Sequence, residues 1–293
     1  MRLELAGTLV RPDPLVLRYT ANQNFVPAGY IDLGYTHFDV ICIGAGGGLG
    51  GGIDTANTGT LIRNTGGAGG GGGFHRVRGL LSALPASCPI VVGAGGVMGT
   101  EHASNPALTT DGSDGGYSSF NGATCRASGG KGGKRAQSNS GTIPTQAHGG
   151  EGGIGDRTAA GGGAAGGVAG TPADPPNPYV AGTPGADGTF FSNIGKGGGG
   201  GAGGVGKYGA ATPNIPATAG GRGSYNPGDT SVYGPGGPPV QGSVSGVQAI
   251  IPGFASGAKA SPLTGLPTVF GQSKSITPFN GNPGIVVIRL TAE

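Results

Sequence analysis

Nothing constrains this chain more than its glycine tracts. Gly44–Gly52, Gly66–Gly73, Gly149–Gly155, Gly161–Gly170 and Gly195–Gly206 are almost without side chains. Glycine loses more backbone freedom on folding than any other residue, roughly 0.5–1 kcal/mol more than alanine in regular structure. With 71 Gly and 23 Pro in 293 residues and no collagen period, the composition would ordinarily signal disorder. A folded form must regain that entropy from contacts between the tracts themselves.

The residues between the tracts argue for folding. Charged residues are 11% and hydrophobic ones 35%, whereas disordered segments combine low hydrophobicity with high charge. The apolar residues arrive in alternating, β-branched bursts of the kind that form strands. Strands are expected at Leu3–Val10 and Leu15–Thr20, parted by Arg11-Pro12-Asp13-Pro14, and around Phe25–Tyr30. Others are expected at Thr36–Ile43, where Phe38, Val40 and Cys42 share a face, at Phe74–Leu81, at Cys88–Val92 and at Gly284–Leu290. No amphipathic helix of useful length is visible, because glycine in a helix interior costs about 1 kcal/mol per residue.

The fold class expected is therefore all-β, with little or no α-helix and something unusual between the strands. The tracts suit the extended left-handed helix of the polyproline II type, with three residues per turn and no internal hydrogen bonds. Its N–H and C=O groups point outward and need partners. Without Cβ atoms, neighbouring backbones can approach closely enough to supply them. A nine-residue tract would reach about 28 Å at about 3.1 Å per residue. Several side by side would make a rigid bundle, with Leu49, Ile154, Val168 and Val205 expected to cap or wedge its edges. The division that follows is residues 1–24 as N-terminal strands or a docking arm and 25–293 as a glycine-rich β domain. Within the latter the bundle spans about 44–237 and a closing strand 284–291.

Chemical motifs are weak. Gly46, Gly48 and Gly51 match the dinucleotide-binding spacing, but more glycine follows where a helix and a distant acidic residue are needed. Gly152-Gly153-Ile154-Gly155-Asp156 misses the calcium β-roll repeat by one position and does not recur. Asp111-Gly112-Ser113-Asp114-Gly115 lacks the bidentate Glu of a calcium loop and reads as a turn. Lys131, Lys134 and Arg135 form the densest basic cluster, with no interleaved aromatics and a net charge of only +3. A solvated loop is the reading there, not a nucleic-acid contact. His37, His75, His102 and His148 are scattered, and no Ser/His/Asp set or carboxylate pair has motif spacing. No catalytic residue, cofactor or metal site is expected. Cys42, Cys88 and Cys125 are too few and too far apart for a metal knuckle, and read as free, partly buried thiols.

The order of segments resembles a known family. Phe25-Val26-Pro27-Ala28-Gly29, then Val40-Ile41-Cys42-Ile43-Gly44-Ala45-Gly46-Gly47-Gly48, then Pro89-Ile90-Val91-Val92-Gly93-Ala94-Gly95-Gly96 open the series. Gly115-Gly116-Tyr117-Ser118-Ser119-Phe120, Ala127-Ser128-Gly129-Gly130-Lys131-Gly132-Gly133 and Asn282-Pro283-Gly284-Ile285-Val286-Val287-Ile288-Arg289 complete it. The set resembles the glycine-rich domain of bacteriophage minor tail proteins and tail fibres. That resemblance implies a jelly-roll-like β scaffold with inserted polyglycine II helices, and a place at the tail tip or fibre end of a virion.

The expected role is then a non-enzymatic tail component that helps attach the particle to its host. The expected partners are other tail proteins and a glycan or protein receptor on the cell surface, without nucleic acid. Purely structural decoration of the tail and a cell-envelope surface protein are the alternatives. With no secretory segment at Met1–Leu5 and no run of about twenty apolar residues to span a bilayer, assembly in the host cytoplasm and release in the virion fit best. Phe190, Phe191, Tyr208, Tyr225 and Tyr233 sit beside Gly/Pro loops. They are the candidate receptor contacts, weighed against packing on the glycine tracts. A homotrimer and a single copy bound to a larger fibre are equally compatible with these features.

Overall fold

The computed structural model describes residues 11–51, 53–57, 60–64, 67, 69–100, 109–135 and 280–292, with short strands at 179–180, 190–191, 195–196 and 206–208. The alternating bursts become strands: β1 (Leu15–Tyr19), β2 (Gln23–Phe25), β3 (His37–Ile43), β4 (Ile53–Asn57), β5 (Thr60–Asn64), β6 (Phe74–Leu80) and β7 (Cys88–Val91). There follow β8 (Ser118–Phe120), β9 (Cys125–Ala127), β10 (Tyr179–Val180), β11 (Phe190–Phe191), β12 (Gly195–Lys196), β13 (Gly206–Tyr208) and β14 (Ile285–Thr291). The one α-helix among the described residues is α1 (Ala28–Asp32), which begins within the segment read as extended from Phe25 to Tyr30. Pro27 opens it with helix-compatible dihedrals, since proline's missing N–H costs nothing at a helix start.

Every strand pairing among the described residues is antiparallel, and the protein is all-β as expected. The main sheet has the order β1-β14-β3-β6-β12-β11, a second sheet β2-β7-β8-β9 and a third β10-β13-β5-β4. In the main sheet β3 lies between β14 and β6, with Val40 opposite both Ile288 and Val77. The pleat then sends Phe38, Val40 and Cys42 with Val286, Ile288 and Leu290 to one face, where all are buried. They meet Phe25, Cys88, Ile90, Phe120 and Cys125 of the second sheet. Phe120 is central to this core, with its ring tilted at 5.9 Å from Phe25 and 6.0 Å from Phe38.

On the other face of the main sheet, Asp39 receives Arg76 Nε at 2.7 Å and Arg78 Nε at 3.0 Å. Burial alone would raise the Asp39 carboxyl, but the hydrogen bonds and charges of Arg76 and Arg78 bring it below its ordinary value. β1, placed within the N-terminal arm by the boundary at residue 24, is instead a strand of the main sheet paired with β14, and it contributes Tyr19 to the core.

The two scaffold sheets have a common polarity. β3, β7 and β9 run into glycine tracts, and β6, β8 and β14 emerge from them, so the tracts all leave from one end. Leu15 pairs with Leu290 and the Thr36 amide donates to the Thr291 carbonyl at the opposite end. The strand ends leading to residues 11 and 292 therefore lie away from the tracts.

Candidate functional site: a polyglycine lattice

The hydrogen bonds of residues 44–51 repeat every third residue. Gly44, Gly47 and Gly50 donate to the carbonyls of Gly73, Gly70 and Gly67 at 3.0, 2.9 and 3.0 Å. Ala45, Gly48 and Gly51 donate to Gly116, Ser113 and Thr110 at 2.9, 2.9 and 3.0 Å, and Gly46 donates to Asn282 at 2.9 Å. The carbonyls turn to other partners: Ala45 and Gly48 accept from Gly130 and Gly133, and Gly46 and Leu49 accept from Gly96 and Gly99. A backbone that returns to the same neighbour every three residues, with no bond to itself, is a polyglycine II rod.

Among the described residues five rods surround this central one, and they bond to one another in turn. Gly67, Gly70 and Gly73 donate to Lys134, Lys131 and Ser128, and Gly112 and Gly115 donate to Gly133 and Gly130. Ser113 and Gly116 donate to Val97 and Ala94, and Gly281 and Gly284 donate to Gly96 and Gly93. The order around the centre is thus 67–73, 128–134, 109–116, 93–100 and 280–284. The central rod donates to the three antiparallel neighbours and accepts from the two parallel ones, in alternation.

Glycine is required for close approach and not for its conformational range. Among the described glycines only Gly34 and Gly122 have a positive φ, and neither is in a rod. A Cβ on Gly44, Gly47 or Gly50 would overlap the carbonyl of Ser128, Lys131 or Lys134 respectively. Hydrogens on Cα occupy that space and make the weak C–H···O contacts that accompany tightly packed backbones.

Side chains appear where the lattice ends. In 93–100 the exposed residues are Ala94, Val97 and Thr100, while Gly93, Gly96 and Gly99 are buried. In the adjoining outer rods Lys131 and Lys134 reach Asp114 and Asp111 at 2.7 and 2.9 Å. Burial would raise both carboxyls, but hydrogen bonds from backbone N–H groups and these lysines lower them. Residues 111–115 are accordingly rod and not turn, and Lys131 and Lys134 are rod residues with acidic partners and not a solvated basic loop. Leu49 departs from its expected edge position as well. It lies in the central rod and is completely buried.

The three cysteines are free and buried. The Cys42 thiol donates to the Cys125 carbonyl at 3.4 Å, and burial pushes it well above its ordinary pKa, which leaves it unreactive. His75 is buried beside them, its Nδ1 accepting from the Arg126 amide at 3.1 Å, a structural task. Among the described residues no group of three or more His, Cys, Asp and Glu could hold a metal ion. No helix of the described residues is long and apolar enough to cross a membrane.

Of the candidate receptor contacts, Phe190 and Phe191 form β11, beyond β12 in the main sheet. Tyr208 is in β13, opposite Ile62 of the third sheet. The fold thus assigns them to two different sheets. Tyr225 and Tyr233 lie outside the described residues, as do Leu3–Val10, Ile154, Val168, Val205, the β-roll-like segment and the tracts at 149–155 and 161–170.

A sheet-and-rod arrangement of this kind defines a glycine-rich β domain. The chain belongs to the glycine-rich domain family, whose model matches residues 21–291. No curated protein matches it.

Proposed function

We propose that the chain is a non-enzymatic component of a bacteriophage tail tip or fibre, a minor tail protein that contributes to attachment on the host surface. The observation that carries the reading is the polarity of the molecule: a stiff, backbone-bonded bundle projects from one end of a β scaffold whose flanking residues leave from the other. A rod whose amides and carbonyls bond to neighbouring rods resists bending far better than a loop of the same composition. Segments mounted at its far end would be held at a fixed distance from the particle. The resemblance of the ordered segments to phage tail glycine-rich domains supports the same place in a virion, with other tail proteins as partners and a cell-surface glycan or protein as receptor.

The test is binding of the purified, fluorescently labelled protein to a panel of intact bacteria of several phyla, together with competition against phage adsorption. Saturable binding to some strains, lost on substituting Tyr225 and Tyr233 together by alanine, supports attachment through those loops. A folded protein that binds no strain and blocks no phage overturns the attachment role.

A further inference from the structure

The face of the main sheet opposite the Phe120 core is basic. The register sets Val16, Arg289, Asp39 and Arg78 side by side across β1, β14, β3 and β6. The next row on the same face is Arg18, Val287, Ile41 and Arg76. Four arginines stand there against one carboxylate, a balance of +3 that equals the formal net charge of the whole chain. Asp39 takes up Arg76 and Arg78. Arg18 and Arg289 are exposed and have no acidic partner among the described residues. They lie diagonally on neighbouring strands, at a spacing of about 7 Å, so that two guanidinium forks can reach one anionic group or two adjacent ones. Folding does not call for them, since like charges this close repel and the core is on the other face.

Asp39 shows how this face treats a carboxylate. Two arginines hold it, and they bring its carboxyl below the ordinary value in spite of burial. Two further features favour a protein partner over a polyanion such as a phosphate polymer. The cations are all arginine, whose planar fork matches a carboxylate and which protein interfaces favour over lysine. Aliphatic surface is also interleaved with the charges. Val16 is 51% exposed, and Leu80, which continues the face beyond Arg78 on β6, is 48% exposed. A phosphate chain gains nothing by covering valine and leucine, whereas an apolar protein surface does.

We propose that this face of the main sheet docks a protein surface on which carboxylates alternate with apolar side chains, with Arg18 and Arg289 as the residues that meet the carboxylates.

The probe is a fluorescently labelled, glutamate-rich random copolymer of glutamate and tyrosine, with a polyphosphate of matched charge as the competing anion. Both are titrated with the full-length protein at about 0.15 M salt, where charges more than roughly 8 Å apart are largely screened. Saturable binding of the copolymer is expected. It should weaken at least about tenfold in the double variant Arg18→Ala, Arg289→Ala, as the loss of two central interface arginines does. The double variant Lys131→Ala, Lys134→Ala removes the same charge from the rods and should bind within about twofold of wild type. If the arginine pair variant does not fold, Arg18→Ala alone, expected to lose about fivefold, gives the same reading. Absence of copolymer binding overturns the proposal. So does an equal loss in the two double variants, because net charge alone then accounts for the attraction. Tighter binding of polyphosphate that depends on the same two arginines overturns it as well, and gives the face to phosphate polymers.

Discussion

Gly47 faces the Lys131 carbonyl so closely that its Cα carries the last atom the space allows. Its own amide meanwhile reaches the Gly70 carbonyl at 2.9 Å, so the residue is held from both sides. A methyl group at this position would meet backbone, which cannot rotate away as a flexible side chain can. Gly47→Ala is expected to cost about 3 kcal/mol or more, in the range of severe overpacking. Gly29→Ala is the control: nothing lies within 4 Å of its added Cβ, and in helix α1 it should stabilise by about 0.5–1 kcal/mol. Urea unfolding of the two variants should move their midpoints in opposite directions.

Leu49 anchors the lattice in another way. It is the large side chain of the central rod and is 0% exposed. Leu49→Ala should destabilise by about 2–5 kcal/mol through lost burial and the cavity left behind. Thermal unfolding reads this directly, and a cost under about 1 kcal/mol would mean that the rods close over the gap.

The Asp39 cluster sets an acid limit. The carboxyl has a depressed folded-state pKa, so its contribution is complete above the unfolded value near 3.9. It is lost as pH falls through the lower folded value. Asp39→Asn should cost about 1–3 kcal/mol at pH 7, and the gap from wild type should narrow progressively as the pH is lowered from 5 to 2. Denaturant midpoints at four or five pH values are sufficient. A gap independent of pH would place the cost in packing.

The outer lysine–aspartate pairs should matter little. The side chains of Lys131, Asp114, Lys134 and Asp111 are all 42–60% exposed, and such pairs contribute about 0–1 kcal/mol. The double variant Lys131→Ala, Lys134→Ala is expected to unfold within about 2 °C of wild type. A larger fall would show that their aliphatic stems seal the rod beneath.

The strands were legible because their burial follows period two. Phe38, Val40 and Cys42 announce a buried face before any partner is known, and β7 and β14 follow the same logic. The rods were legible as a class, because glycine without side chains leaves only backbone to bond. Their arrangement was not. No side chain records that Gly44 meets Gly73 while Ala45 meets Gly116, since every bond joins groups common to all residues. A partial signal was present in the three-residue spacing of Asp111 with Asp114 and of Lys131 with Lys134. It was masked by reading the first pair as a turn and the second as a loop. Leu49 was misplaced because an isolated apolar residue in glycine suggests an edge, whereas the centre of the bundle is also dry. Helix α1 escaped because five residues offer no period to read.

Order of synthesis gives the central rod an unusual history. Residues 44–51 leave the ribosome before any of the five rods that surround them, yet Gly46 waits for Asn282. In the main sheet, β14 fills the place between β1 and β3, whose facing edges stay open for the same interval. One late segment therefore completes a sheet and a lattice together. Long-range closures of this kind are slow and leave strand edges exposed to other chains. Until residues 280–291 arrive, the oldest part of the fold is also its least finished.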